Sequence, residues 1–149
     1  MTVLKFEYDE VGTPIAEVGI KNKDKMIMIS FFVDSGADIT LIPKTAGEYL
    51  GLIDRLKNRL RFFINLAIFF IVLSCTIKKE DVEVADGVGR GMVPYIIKKA
   101  TLIIQDHSFN AEIACALTDD IPYLPGRKSV FEEFKVCFDD KHKITTFLQ

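Results

Sequence analysis

The stretch FFVDSGADITLIP, residues 31 to 43, sets two carboxylates and two hydroxyls among apolar side chains. Asp34, Ser35 and Gly36 form the polar centre, and Asp38 follows four residues after Asp34. As a bare tripeptide, Asp-Ser-Gly is what any turn would use, because Asp and Gly tolerate turn backbone. The flanks argue for more, since runs such as SFFV and ITLI belong beneath other structure rather than at a surface loop. A carboxylate delivered there suits acid–base work on a bound substrate. If Asp34 is one half of an acid pair, a second carboxylate is needed, and the chain holds only one Asp-[Ser/Thr]-Gly.

Other residue types that could do chemistry are weaker candidates. Cys75, Cys115 and Cys137 are an odd number in apolar stretches, without C-x-x-C spacing, and read as inert core thiols. His107 and His142 fall in QDHSFN and DDKHK and read as solvated loop residues, since no second ligand stands at metal spacing. Neither a metal nor a cofactor is expected. Gly87, Gly89 and Gly91 in DGVGRG could suggest a phosphate cradle. No clear strand precedes them and no helix pattern follows, so a glycine-rich β-turn is favoured.

The elements that must hold Asp34 are mainly strands. VLKFEY alternates, a Gly-Thr-Pro turn follows, and IAEVGI alternates again before KNKDK turns the chain into MIMISFFV. After DSGAD, ITLIP is a short strand, and Pro43 opens a short helix through TAGEYL that Gly51 ends. VPYIIKKATLIIQ and FNAEIACAL form a long hairpin about DHS. Ser129 and Glu132 have capping-box spacing for a second short helix with Val130, Phe131 and Phe134 on its apolar face. KVCF and ITTF then pair across DDKHK. At 149 residues, 49% apolar and 27% charged, the chain suits a single folded domain over 1–149. A net charge of −2 gives no electrostatic case for nucleic acid. MTVLKFEYDE lacks an apolar signal core, which favours a cytoplasmic over a secreted location and leaves localisation otherwise open.

Residues 52 to 79 break the strand pattern. Leu52, Leu56, Leu60 and Phe63 share one helical face, and 62–77 is a run of sixteen uncharged residues flanked by Arg61 and Lys78. As a helix the run would span about 24 Å at 1.5 Å per residue, short of a hydrocarbon core of roughly 30 Å. An apolar helical insert is expected, either buried or covered by a subunit, or in contact with a membrane through 62–77. Added β-structure is the third option, since Phe, Ile and Val also suit strands.

FFVDSGADITLIP resembles the active-site loop of retropepsin-like aspartic proteases, apolar-apolar-Asp-[Thr/Ser]-Gly-Ala. LPGRKSVFEEFKVCF resembles the family's Gly-Arg segment with its short helix and strand, and DGVGRGMVPY resembles the glycine-rich flap hairpin. The resemblance covers about residues 3 to 50 and 82 to 148. It implies a mostly β, retropepsin-like closed β-barrel, one half of an acid protease, with two short helices besides the insert. It also implies an aspartic endopeptidase acting on extended peptide, in which two carboxylates about 3 Å apart share one proton. With one such Asp per chain, the second comes from a homodimer in which Asp34 meets its symmetry mate. By the same comparison Asp34, Ser35 and Gly36 are catalytic, with Ser35 bracing the two loops across the dimer. Ala37, Asp38, Gly87, Val88, Gly89 and Gly91 contact substrate, and Gly126 and Arg127 give support. Asp38 and Arg127 are expected as a buried pair, against the plainer alternative of two surface charges. A non-catalytic dimerisation or peptide-binding module of the same fold is the competing function.

Overall fold

The computed structural model describes residues 2–53, 82–86 and 92–149. Alternating sequence becomes strand nearly everywhere it was expected: β1 (Val3–Glu7), β2 (Ile15–Asn22), β3 (Lys25–Phe32), β4 (Thr40–Ile42), β5 (Glu83–Asp86), β6 (Met92–Ile104), β7 (His107–Ala116), β8 (Lys135–Asp139) and β9 (Ile144–Leu148). Two-residue turns join β2 to β3 and β6 to β7, with Asn22 facing Lys25 and Ile104 facing His107. Lys23 and Gln105 supply positive φ at the first turn positions. The second turn is therefore Gln105–Asp106, not DHS, and His107 and Ser108 already belong to β7.

The ladders make two sheets. One has three strands in the order β1-β9-β8, and the other has six, ordered β3-β2-β6-β7-β4 with β5 added to β6. Among the described residues they do not close into the expected barrel, because β1 is taken by β9 rather than by β2, leaving β3 and β4 as edges. The core between the layers is built from the inward positions of each strand. Ile20, Phe31, Ile42, Leu102, Ile104, Ile113 and Phe147 are all fully buried there, joined by Phe134 and Val130. Phe134 and Phe147 meet edge to face at 5.8 Å, and Phe147 does the same with Phe6 at 5.4 Å, tying the C-terminal layer to the N-terminal strand.

Helix α1 (Lys44–Tyr49) follows Pro43 as expected. Its end is a Schellman motif: Gly51 at φ +70 donates to Glu48 and Leu52 donates to Gly47. Leu52 and Ile53 lie in a bend beyond it, and the rest of the expected 52–79 insert, with its 62–77 run, lies outside the described residues. The second expected helix is corrected in kind and in start. Residues Arg127–Phe131 form a single π-helical turn whose N-cap is Gly126, so Ser129 sits inside the turn and caps nothing. Its hydroxyl has a tertiary partner instead, Thr40. No helix of the described residues is long and apolar enough to cross a membrane.

Candidate active site

Strand β3 ends at Phe32, and two outside segments fix where the chain goes next. Phe32 donates its N–H to the Tyr123 carbonyl at 3.0 Å, and Val33 donates to Pro14 at 2.9 Å. Asp34 is thus launched from a held strand end. It forms its own turn: Oδ1 accepts the Gly36 N–H at 2.8 Å, and the Asp34 carbonyl accepts from Ala37. Oδ2 has no hydrogen-bond partner among the described residues. Asp34, Ser35 and Gly36 are exposed in the single chain, so the apolar flanks deliver this acid to a surface rather than bury it.

The turn rests on a floor made by residues 124–128. Leu41 and Leu124 exchange backbone hydrogen bonds at 2.8 and 3.1 Å. Arg127 donates its N–H to the Ala37 carbonyl at 2.9 Å, and Lys128 donates to Asp38 at 3.0 Å. Between these contacts Gly126 presses on the backbone of the facing strand, where a Cβ would stand 2.0 Å from the Ile39 carbonyl carbon. Only glycine fits, for want of space rather than for its φ of −96. The Gly126 N–H goes to Thr40 Oγ1 at 2.9 Å, and that hydroxyl pairs with Ser129 Oγ at 2.5 Å, all of it buried. Pro125, also buried, needs no donor here, because Leu124, Gly126, Arg127 and Lys128 supply the N–H groups that the floor uses.

The Asp38 and Arg127 side chains do pair, Arg127 Nη2 donating to Asp38 Oδ1. They pair on the surface, 73% and 58% exposed in the chain by itself, and through one nitrogen and one oxygen. The expected buried pair is corrected to an exposed contact in the chain by itself. What joins the turn to its floor is the backbone ladder and the Thr40–Ser129–Gly126 cluster. Thr40 was invisible as a site residue because a β-branched residue in ITLIP reads as ordinary strand. The only signal was a hydroxyl among inward-facing apolar positions.

Beside Asp34 opens a groove of about 500 Å³. Tyr8, Phe32, Ser35, Leu124 and Phe138 border it with Asp34, and Asp140 stands at the same rim. Tyr8 donates its hydroxyl to Asp140 Oδ1 at 3.1 Å. Partial burial first, and that carboxylate second, push the Tyr8 phenol above its usual range. Strands β5 and β6 pair antiparallel from Glu83–Tyr95 to Asp86–Met92, which are the arms of the expected flap hairpin. Gly87, Val88, Gly89 and Gly91, its expected tip, lie outside the described residues.

The remaining candidates among the described residues do not line this groove. Cys115 is buried in β7, where burial pushes its thiol up to about 12, so little thiolate forms. Cys137 is half-buried on β8, and Cys75 lies outside the described residues. His107 is no solvated loop residue. Its ring packs edge-on against Phe134 at 5.1 Å and its Nε2 meets Glu133 Oε1 at 3.1 Å. His142 does sit in the exposed β8–β9 turn, where it meets Asp139 at 2.7 Å and holds that carboxyl below the usual range. No group of His, Cys, Asp and Glu among the described residues could hold a metal ion.

An acid-bearing turn seated on a Gly-Arg segment, with the antiparallel β5–β6 pair in the same sheet as β3 and β4, accompanies a retropepsin-like fold. The chain is similar to the crystal structure of a retropepsin-like aspartic protease from Rickettsia conorii, with a TM-score of 0.62 and 16% identity over 98% of each chain. It is also similar to EIAV protease, solved with the inhibitor HBY-793, with a TM-score of 0.50 and 18% identity over 86% of this chain and 94% of that one. No protein-family model matches the sequence, and no curated protein matches it.

Proposed function

We propose that the protein is an aspartic endopeptidase whose catalytic pair is Asp34 and the Asp34 of a second copy, brought together on a homodimer axis. The observation that carries this is the setting of Asp34: one carboxylate oxygen tied to Gly36, the other unpartnered among the described residues, on the rim of an open groove. The fold is shared with aspartic proteases, which supports hydrolysis of peptide bonds.

In this mechanism two carboxylates close enough to repel share one proton. The ionised one takes a proton from a water as its oxygen attacks the peptide carbonyl carbon. The protonated one hydrogen-bonds the carbonyl oxygen, and the leaving nitrogen is protonated as the C–N bond breaks. The pair titrates as a unit. Gly36 keeps the approach to Asp34 free of a side chain, and the β5–β6 hairpin would cover an extended peptide laid beside Ala37 and Asp38, with Gly87, Val88, Gly89 and Gly91 at its tip. In this reading the Ser35 hydroxyl, which has no hydrogen bond among the described residues, bonds across the dimer and braces the two loops.

The test is cleavage of an unstructured peptide mixture by the purified full chain from acid to neutral pH. Wild type is expected to cut, and Asp34→Asn to lose cutting while keeping its thermal transition and its dimeric mass. The substitution removes a repulsion, so a monomeric Asp34→Asn beside a dimeric wild type would contradict the paired geometry. A dimer that binds peptide without cutting at any pH would instead identify a non-catalytic module.

A further inference from the structure

An edge strand leaves the N–H and C=O of every second residue unpaired, and the hydrogen bonds at the end of β3 show which residues these are. Val33 donates to Pro14, on the β2 side, and Phe32 donates to Tyr123, on the other. Alternation carries that parity back along the strand. Ile27, Ile29 and Phe31 address β2, while Met26, Met28 and Ser30 turn their backbone groups outward. Phe32 is already taken, and nothing among the described residues pairs with the other three on that side. The open window runs from Met26 to Ser30, about 17 Å of strand at roughly 3.4 Å per residue.

Edges are commonly blunted by charge, proline or short length. Three other edges follow that rule among the described residues: β1 carries Lys5 and Glu7, β8 carries Lys135 and Asp139, and β4 has three residues. Strand β3 does not. From Met26 to Phe32 it reads MIMISFF, without a charge or a proline. Met26 and Met28 are 49% and 53% exposed. The Met28 thioether lies over Gly19, where a Cβ would stand 2.8 Å from its sulfur. Methionine adapts its shape to varied apolar partners, so this edge suits an apolar visitor.

A single extended segment fits the window better than a second β3. Pairing with its own copy about Met28 would set Asp24, in the β2–β3 turn, opposite the partner's Phe32, whose outward N–H Tyr123 already holds. Sliding the register toward the turn avoids that overlap but pairs only Met26 with Met28. A free strand meets neither obstacle. Charge sets its direction. Lys21 faces Met26 across the ladder, and Lys23 and Lys25 flank it, with Asp24 as the one acid in that turn; Glu17 faces Ser30 at the other end. An added antiparallel strand has its C-terminal side among the lysines, where an acidic residue is favourable.

We infer that the β3 edge is a docking strand, to which an extended, mainly apolar segment with an acid on its C-terminal side adds along Met26–Ser30 as a seventh strand of the sheet. Phe32, 42% exposed, belongs both to this face and to the Asp34 groove, so the segment is one of a polypeptide substrate, held outside the groove. Its origin in a substrate rests on the protease reading; the strand addition does not.

Amide hydrogen exchange by NMR reads the pairing directly. The sample is full-length Asp34→Asn, so that no probe is cut, and the probe is a blocked peptide of alternating valine and threonine ending in glutamate. Without it, the Met26, Met28 and Ser30 amides are expected to exchange fast, and those of Ile27, Ile29 and Phe31 slowly. Saturating peptide should slow the first three about tenfold or more and leave Phe32 unchanged. The same peptide N-methylated at the residues that face β3 should slow none of them. Slow exchange at all three before peptide is added, whether residues 54–81 or a second copy covers them, overturns the docking strand, as does fast exchange at millimolar peptide. For the substrate, Met28→Pro removes an N–H that β2 does not use. It is expected to keep the thermal transition and kcat, and to raise KM about fivefold or more for a long unstructured polypeptide but not for a short peptide that fills only the groove. Ser30→Pro makes the same test if Met28→Pro does not fold. An unchanged KM for the long chain overturns the assignment to substrate. A wild type that cuts nothing, while the three amides gain protection, overturns the protease reading and leaves the docking strand standing.

Discussion

Gly126 and Arg127 are neighbours in sequence with opposite demands on the fold. A methyl at Gly126 would have to displace the backbone of Ile39 and Thr40, two rigid groups rather than a flexible side chain. Gly126→Ala is expected to destabilise the protein by at least about 3 kcal/mol, at the upper end of overpacking costs, measured by urea unfolding, and to remove activity with it. Arg127→Ala should behave differently. Its ion pair with Asp38 is solvated on both sides, and such pairs contribute roughly 0–1 kcal/mol. The same unfolding experiment is expected to register at most a small shift in midpoint for the isolated chain. A loss of several kcal/mol there would mean that the pair is covered by a second copy.

At the scale of elements, the hairpins were legible because half-buried strands alternate and turns carry polar residues. The turns themselves were less so: the chain reverses at Gln105–Asp106, one step earlier than the polar cluster DHS suggested. The second helix was misread for a physical reason. Ser129 looks like a cap when only its neighbours are considered, but its hydroxyl is engaged by Thr40, 89 positions away, and the turn begins at Gly126. His107 was misjudged likewise, since Phe134 and Glu133 reach it from a distant part of the chain. The Asp34 turn stood out by its apolar flanks, and its Gly126–Arg127 floor could be named only because LPGRKSVFEEFKVCF resembles the family's Gly-Arg segment. Thr40 could not, because a strand accepts threonine anywhere. Strand β9 makes the strongest prediction at this scale. It lies between β1 and β8 and buries Phe147 completely. Removing residues 140–149 leaves both neighbours without their ladder, and the truncated protein is expected to lose its cooperative thermal transition by calorimetry.

For the whole molecule, the proposed site would be assembled from two chains, which ties its activity to concentration. Specific activity is expected to fall on dilution through the dimer Kd and to recover on reconcentration, following the dimer fraction seen by sedimentation. Activity per chain that stays constant far below that Kd would show that one copy suffices. The fold also carries a kinetic consequence. The Asp34 turn is seated on residues 124–128, and β4 runs parallel to β7, so both attachments span long stretches of chain. Long-range closures of this kind form late in folding. On the ribosome, a nascent chain would therefore carry Asp34 without the surface beneath it until residues 124–128 have emerged. The proposed chemistry thus has to wait for residues 124–128, which lie some ninety positions beyond the acid they support.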